Sequence, residues 1–261
     1  MPGPRIVLVR SKDSANVGAA ARAMKNFGLD DLVLVAPRCR IDARARALAS
    51  HAGDVLDGAR VVASVAEAIG DLRFVLGTSA RRRDNESLPV WLPRQAAPHA
   101  QGSDVAILFG PEDHGLSNEE LDLCQGYVSI PTADYASLNL AQAVLLVAYE
   151  VHLARPREGR SEAGPHAAVD GPSAQLGVPP TVERAPREQL ERFYAQLVDA
   201  FHLIGYTDAQ RERAILRLYR GIFDRVALTP REVAALRGLV SQVAWAAEQP
   251  PERLPDRKDE R

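Results

Sequence analysis

The feature that most constrains the fold is an alternation of short apolar runs with helical patterns through residues 1–155. Ile6-Val7-Leu8-Val9 is an apolar run with β-branched members, the mark of a strand buried on both faces. Val17, Ala20, Ala21, Met24 and Phe27 then fall at helical spacing, and Gly28 suits the stop. This predicts a helix over 16–27 with Asn16 at its N-cap. Leu32 to Ala36 reads as a second strand, ended by Pro37, and Arg38 to Ser50 as a basic helix. Ala59 to Ala63 and Phe74 to Leu76 read as strands with a short helix between them. Val105 to Phe109 is the clearest strand and must turn at Gly110-Pro111. Ser117-x-x-Glu120 is a capping box, Tyr127 to Ile130 a strand ended by Pro131, and Leu138 to Leu153 a long apolar helix. The alternation predicts an α/β fold with a parallel sheet covered on both faces.

The pattern breaks at 156–182, where Pro156, Gly159, Gly164, Pro165, Gly171, Pro172, Gly177, Pro179 and Pro180 predict a flexible linker. Residues 183–249 predict a small all-helical extension of three helices. The first carries Leu190, Phe193, Leu197, Phe201 and Ile204 on one face, behind Pro186. The second is expected to open at Thr207-x-x-Gln210 and bury Ile215, Leu218 and Ile222. The third opens at Thr229-Pro230-x-Glu232 and is expected to bury Val233, Leu236, Val240 and Val243. Residues 250–261 form a polar tail.

No apolar run approaches the roughly 18 residues that span a bilayer, and Met1-Pro2-Gly3-Pro4-Arg5 does not read as a signal peptide. Cys39 and Cys124, without CxxC spacing, suggest neither a disulfide framework nor a zinc site and fit a reducing cytoplasm. The net charge of -2 argues against a polybasic binder. Its distribution says more: residues 1–95 carry 15 Lys/Arg against 10 acids, while 96–150 carry eight acids and no Lys or Arg. Of the cations 29 are arginine and three lysine, which fits either bidentate phosphate binding or a GC-rich genome.

In an open parallel sheet, ligands bind in loops at the carboxyl ends of strands. Four such loops carry unusual residues: Ser14 to Arg22, Gly77-Thr78-Ser79-Ala80 running into Arg81-Arg82-Arg83, Gly110 to Leu116, and Ile130 through Ser137-Leu138-Asn139-Leu140. GxGxxG and GxxxxGK[ST] are both absent from the first, which disfavours nicotinamide enzymes and P-loop kinases. The arginine triplet fits either an RNA contact or a solvated charge run. Glu112-Asp113-His114 cannot all face one ion on a tight turn, so no metal site is expected, whereas Gly110 and Gly115 let backbone approach a small ligand. Asn139 and Ser137 could be helix caps or ligand contacts.

Taken together, Asn16-x-Gly18-x-x-x-Arg22, Leu108-Phe109-Gly110-Pro111-Glu112-x-x-Gly115-Leu116, and Ile130-Pro131 followed by Ser137-Leu138-Asn139-Leu140-x-x-Ala143-Val144 are three motifs in order. They resemble the SPOUT methyltransferase superfamily, in its TrmH-type branch of RNA 2′-O-ribose methyltransferases. The short stretch before Asn16 and the helical extension opening at Leu190-Glu191-Arg192-Phe193-Tyr194 are most similar to the bacterial TrmJ type, which methylates nucleotide 32, a cytidine or uridine, of the tRNA anticodon loop.

The resemblance implies a deep trefoil knot in the carboxyl half of the first domain, and a homodimer with the active site at its interface. It implies S-adenosylmethionine held by Thr78, Ser79, Ala80, Gly110, Glu112, Ile130, Ala136, Ser137, Leu138 and Asn139, and it makes Arg22, Asn16, Ser137 and Asn139 the catalytic set. A sulfonium methyl is already activated, so the chemistry needs alignment and help with a weakly acidic proton. Arginine stays protonated, so Arg22 is expected to clamp a phosphate and stabilise the developing alkoxide, with Asn16 and Ser137 orienting the hydroxyl. Arg22 and Arg81 to Arg83 are then the RNA contacts, and basic residues 38–46 join them. Arg213, Arg217 and Arg220 share a helix face that could either grip the tRNA body or face solvent. A knotted RNA-binding protein without catalysis, or methylation of another tRNA or rRNA site, remain the alternatives.

Overall fold

The computed structural model describes residues 3–79, 88–133, 138–155 and 184–249. Strand β1 (Arg5–Val9) leads into helix α1 (Ser14–Asn26), and β2 (Leu32–Val35) into α2 (Ala43–Ala49) and α3 (Gly53–Asp57). Strand β3 (Arg60–Val62), α4 (Val65–Ile69) and β4 (Phe74–Thr78) follow, then β5 (Val90–Trp91) and α5 (Pro93–Ala96) with a 3₁₀ turn at Ala97–His99. Strand β6 (Val105–Phe109), α6 (Asn118–Leu121), β7 (Gly126–Val128) and α7 (Leu140–Leu153) complete the first unit. Helices α8 (Arg187–Leu203), α9 (Glu212–Val226) and α10 (Pro230–Glu248) form the second.

The strands make one seven-stranded sheet in the order β3-β2-β1-β6-β4-β7-β5, every pair parallel. Alternate residues point to opposite faces. Ile6, Leu8, Leu32, Leu34, Ile107 and Phe109 pack with Ala20, Met24 and Val55, and with Val144 and Val147 of α7. Val7, Val9, Val33, Val35, Val75 and Leu108 pack on the other face with Ile69, Leu116, Leu121 and Cys124. Two separate cores explain why the strands read as continuous apolar runs. They also bear out the expected parallel sheet covered on both faces.

Local chemistry sets several boundaries differently from the sequence expectation. Asp13, not Asn16, caps α1, its carboxylate accepting from the Ala15 amide at 2.9 Å. The stop at Gly28 is as expected: φ is +67°, and the Gly28 and Leu29 amides return to the Lys25 and Met24 carbonyls. The basic stretch 38–50 is helical only over Ala43–Ala49, because Asp42 caps the chain there by accepting from the Ala45 amide. Strand β7 stops at Val128, and β5, α3 and α5 were not anticipated.

In the extension, α9 opens at Glu212 with Arg211 as its N-cap and no side-chain cap, not at Thr207; the turn before it is closed by Asp208, which accepts from the Gln210 and Arg211 amides. Its inward face is Leu216, Tyr219 and Phe223, one residue out of phase with the expected Ile215, Leu218 and Ile222; Leu218 and Ile222 are exposed. Val243 and Ile204 are exposed too, while Leu190, Phe193, Leu197, Val233 and Val240 are buried as expected. The segment 156–182 and the tail 250–261 lie outside the described residues, as does residue 183.

The extension docks on the amino-terminal edge of β4. The Arg187 and Glu188 amides donate to the Leu72 and Gly70 carbonyls at 2.8 and 3.1 Å, and Arg73 Nε donates to the Arg184 carbonyl at 2.8 Å. The Arg187 side chain is 1% exposed and pairs with Asp224 at 3.1 Å and Glu191 at 3.0 Å. Such a buried cation is tolerated only because acids surround it.

Candidate active site

Strands β1, β6, β4 and β7 are consecutive neighbours, so the loops at their carboxyl ends converge. A chain of side-chain hydrogen bonds joins three of those loops. Asn139 caps α7, its Oδ1 accepting from the Ala141 and Gln142 amides at 2.9 and 3.3 Å. Its Nδ2 donates to Asn16 Oδ1 at 2.8 Å, and Asn16 Nδ2 donates to Glu112 Oε1 at 2.8 Å. Glu112 Oε2 accepts from the Lys12 amide at 3.3 Å. Each amide thus uses one donor and one acceptor in a fixed direction, and the row ends on a carboxylate able only to accept. Asn16 is free to do this because Asp13 caps α1 in its place.

Thr78, Ser79, Gly110, Ile130 and Leu138 are half-buried. Thr78 Oγ1 donates to the Leu108 carbonyl at 2.9 Å, and the Ser79 amide to the Val128 carbonyl at 3.0 Å, which ties the end of β4 to both neighbours. The Gly110 loop folds tightly on itself: a Cβ there would lie 2.2 Å from Gly115 C and Leu116 N. Gly115 has φ +71° with open space beside it, a conformation that favours glycine.

The surrounding charges are paired. Asp113 accepts from Lys12 Nζ and lies 2.7 Å from His114 Nδ1, and the lysine holds its carboxyl below the usual aspartate range. Arg10, at the carboxyl end of β1 with φ +50°, grips both carboxylate oxygens of Glu120. Burial, with the charge of Glu112, pushes the Cys39 thiol up, and burial pushes Cys124 up to about 12. Neither thiol is placed as a nucleophile. Among the described residues no group of three or more His, Cys, Asp or Glu could hold a metal, and no helix is long and apolar enough to cross a membrane.

Asn16, Glu112 and Asn139 therefore come together, with Thr78, Ser79, Gly110, Ile130 and Leu138 on adjoining loops. Ala80, Arg81, Arg82, Arg83, Ala136 and Ser137 lie outside the described residues. Arg22 is exposed on α1 and makes no hydrogen bond or ion pair among the described residues. Arg213, Arg217 and Arg220 are not free: they pair with Glu119 and Asp122, with Asp122, and with Glu191. The Lys12 and Arg10 contacts were not foreseen. Glu120 was legible as a cap, but nothing local marks a second partner 110 residues away.

An α/β sheet with this loop constellation at its carboxyl edge defines the class: the chain belongs to the SpoU rRNA Methylase family, whose model matches residues 3–149. Residues 188–252 further match the family described as tRNA methyltransferase TrmJ, C-terminal domain. The chain is 38% identical to tRNA (cytidine/uridine/adenosine-2'-O-)-methyltransferase TrmJ of Pseudomonas aeruginosa, over 93% of this chain and 94% of that protein. It is 37% identical to the tRNA (cytidine/uridine-2'-O-)-methyltransferase TrmJ of Pectobacterium atrosepticum, over 92% and 95% of the two chains. Among solved structures it resembles TrmJ from Z. mobilis ZM4, with TM-score 0.74, 38% identity and coverage of 92% and 98%.

Proposed function

We propose that this protein transfers a methyl group from S-adenosylmethionine to the ribose 2′-oxygen of a tRNA nucleotide, a cytidine or uridine at position 32 of the anticodon loop. The carrying observation is the hydrogen-bonded row Asn139–Asn16–Glu112, which locks the three motif loops into one constellation. The names of the relatives support tRNA as substrate and the 2′-oxygen as acceptor.

The residues present fit the cofactor. Three adjacent strand ends, β6, β4 and β7, offer half-buried loop residues and an open, positive-φ Gly115 against which a nucleoside can lie. Thr78, Ser79, Gly110, Ile130 and Leu138 would hold it, with Ala80, Ala136 and Ser137 completing the set. The bound sulfonium supplies an activated methyl group, so no metal is required.

The chain's own residues align the acceptor. Asn16 and Asn139, held rigid by their mutual bond and by the α7 amino terminus, fix hydrogen-bonding directions at the site, and Ser137 joins them. Arg22, exposed on α1 and without an intramolecular partner among the described residues, clamps the phosphate beside the reacting ribose. It does so across a homodimer interface, to which exposed Leu145, Leu146 and Tyr149 of α7 contribute. Arg81 to Arg83 contact the RNA. The carboxyl half of the first unit carries the trefoil knot, and the enzyme works in the cytoplasm.

The decisive experiment pairs calorimetric titration with S-adenosylmethionine and methylation of unmodified tRNA transcripts, mapping 2′-O-methyl groups by nuclease digestion and mass spectrometry. Cofactor binding with a single new methyl at ribose 32 is the expected result. Binding of tRNA without cofactor binding would leave a non-catalytic RNA-binding protein, and a methyl elsewhere would move the target.

A further inference from the structure

Helix α6 lies between Arg10 on one side and Arg213 and Arg217 of α9 on the other. On one side Arg10, at the carboxyl end of β1, holds both oxygens of Glu120, and the Ser117 amide donates to Glu120 Oε2 at 2.7 Å. On the other side α9 of the extension reaches Asp122: Arg217 Nε and Nη2 lie 2.9 and 3.1 Å from its two oxygens, and Arg213 adds Nη2 at 3.3 Å. Arg213 also pairs with Glu119 at 2.7 Å. Asp122 is 17% exposed, so these pairs are partly shielded from water.

Covalent connectivity gives the arrangement its meaning. The Gly110–Leu116 loop runs directly into Ser117 and α6, and α6 leads to β7, two residues beyond which lies Ile130. Leu116 and Leu121 anchor this segment in the same core cluster as Val75 and Leu108 of β4 and β6. The path from the extension to the candidate site is thus four residues of helix and one tight loop.

We infer that the helical extension positions the Gly110–Leu116 loop by clamping α6 through Arg217 and Arg213, so that these are positioning residues for cofactor binding and not contacts to RNA. The identity of the ligand rests on the proposed function; the mechanical coupling does not. An arginine fork on a carboxylate fixes direction as well as distance. Without it the carboxyl end of α6 keeps its Leu121 core contact but loses the fork that fixes its direction, and the loop samples geometries that the ligand must narrow on binding.

The experiment uses the full chain with Arg213→Ala and Arg217→Ala combined, Asp122→Asn, and the charge exchange Asp122→Arg with Arg217→Asp. Amide hydrogen exchange reads the loop without any ligand. The expected result is exchange about 3- to 10-fold faster across residues 112–117 in the first two variants, with Val105–Phe109 unchanged and partial recovery in the exchange variant. S-adenosylmethionine affinity should fall by a similar factor while tRNA affinity stays within about twofold. Unchanged exchange in the loop, or lost tRNA affinity with intact cofactor affinity, would overturn the inference. A wild-type chain that binds no cofactor would instead defeat the proposed function and leave the exchange result standing.

Discussion

Asn139 Nδ2 donates to Asn16 Oδ1 at 2.8 Å, joining residues 123 positions apart. Because Asn139 also caps α7 and Asn16 also reaches Glu112, each amide orients the other. Asn16→Ala and Asn139→Ala should therefore be non-additive: a double-mutant cycle in denaturant unfolding should give a coupling of about 0.5–3 kcal/mol. Additive losses would show that the bond does not persist in solution.

Arg22 carries the phosphate clamp in the proposed chemistry. Arg22→Ala should lower methyl transfer to tRNA by about 100- to 1,000-fold, the scale of losing one charge-stabilising donor. S-adenosylmethionine affinity should be preserved, as read by calorimetry. Loss of both together would assign Arg22 to folding or to the cofactor pocket.

Gly110 has no room for a side chain, since a Cβ there would lie 2.2 Å from the backbone of Gly115 and Leu116. Gly110→Ala should cost about 1–3 kcal/mol by overpacking and weaken cofactor binding more than tRNA binding. Thermal unfolding with paired binding titrations checks this. A variant of native affinity would mean that the loop relaxes freely.

Glu191 makes the extension acid-sensitive. Burial opposes its ionisation, but hydrogen bonding to Arg220 and the charge of Arg187 outweigh that and hold its carboxyl below the ordinary glutamate range. A carboxyl depressed by folding stabilises the native state above its unfolded value near about 4.3, and that contribution fades as pH falls through the lower folded value. Melting curves from pH 7 to pH 3 should show Glu191→Gln less stable at neutrality and with a shallower acid limb. Parallel curves for both proteins would refute the assignment.

Much of this fold is legible in the sequence. Continuous apolar runs such as Ile6–Val9 and Val105–Phe109 announce strands buried on both faces, and the capping boxes at Ser117/Glu120 and Thr229/Glu232 mark helix starts by a purely local bond pattern. Strand β5 escaped because two residues, one of them exposed Val90, carry no periodicity. The face of α9 was misplaced by one residue because apolar side chains lie on both flanks of the helix, and only packing against Phe193 and Leu190 selects between them. In the site, motif residues were legible one by one, but their bonding was not. Asn16 was read as a cap because nothing local says that Asp13 outcompetes it. Likewise the arginine face of α9 is visible, whereas its acidic partner Asp122, just past the end of α6 and 95 positions from Arg217, has no sequence signature.

The strand order carries a consequence for how the chain is made. Among the described strands β4 pairs with β6 and β7, and β1 finds its second neighbour in β6. During synthesis β4 therefore leaves the ribosome with no edge to join, and the sheet stops at β3-β2-β1 until residues 105–109 arrive. At about 5–20 residues per second that interval is brief, but it leaves an unpaired apolar strand and an open edge together. Parallel pairing between distant segments is also slow to form. The vulnerable moment for this protein is thus the insertion of β6, and damage to that strand should surface as aggregation during expression before it surfaces as lost activity.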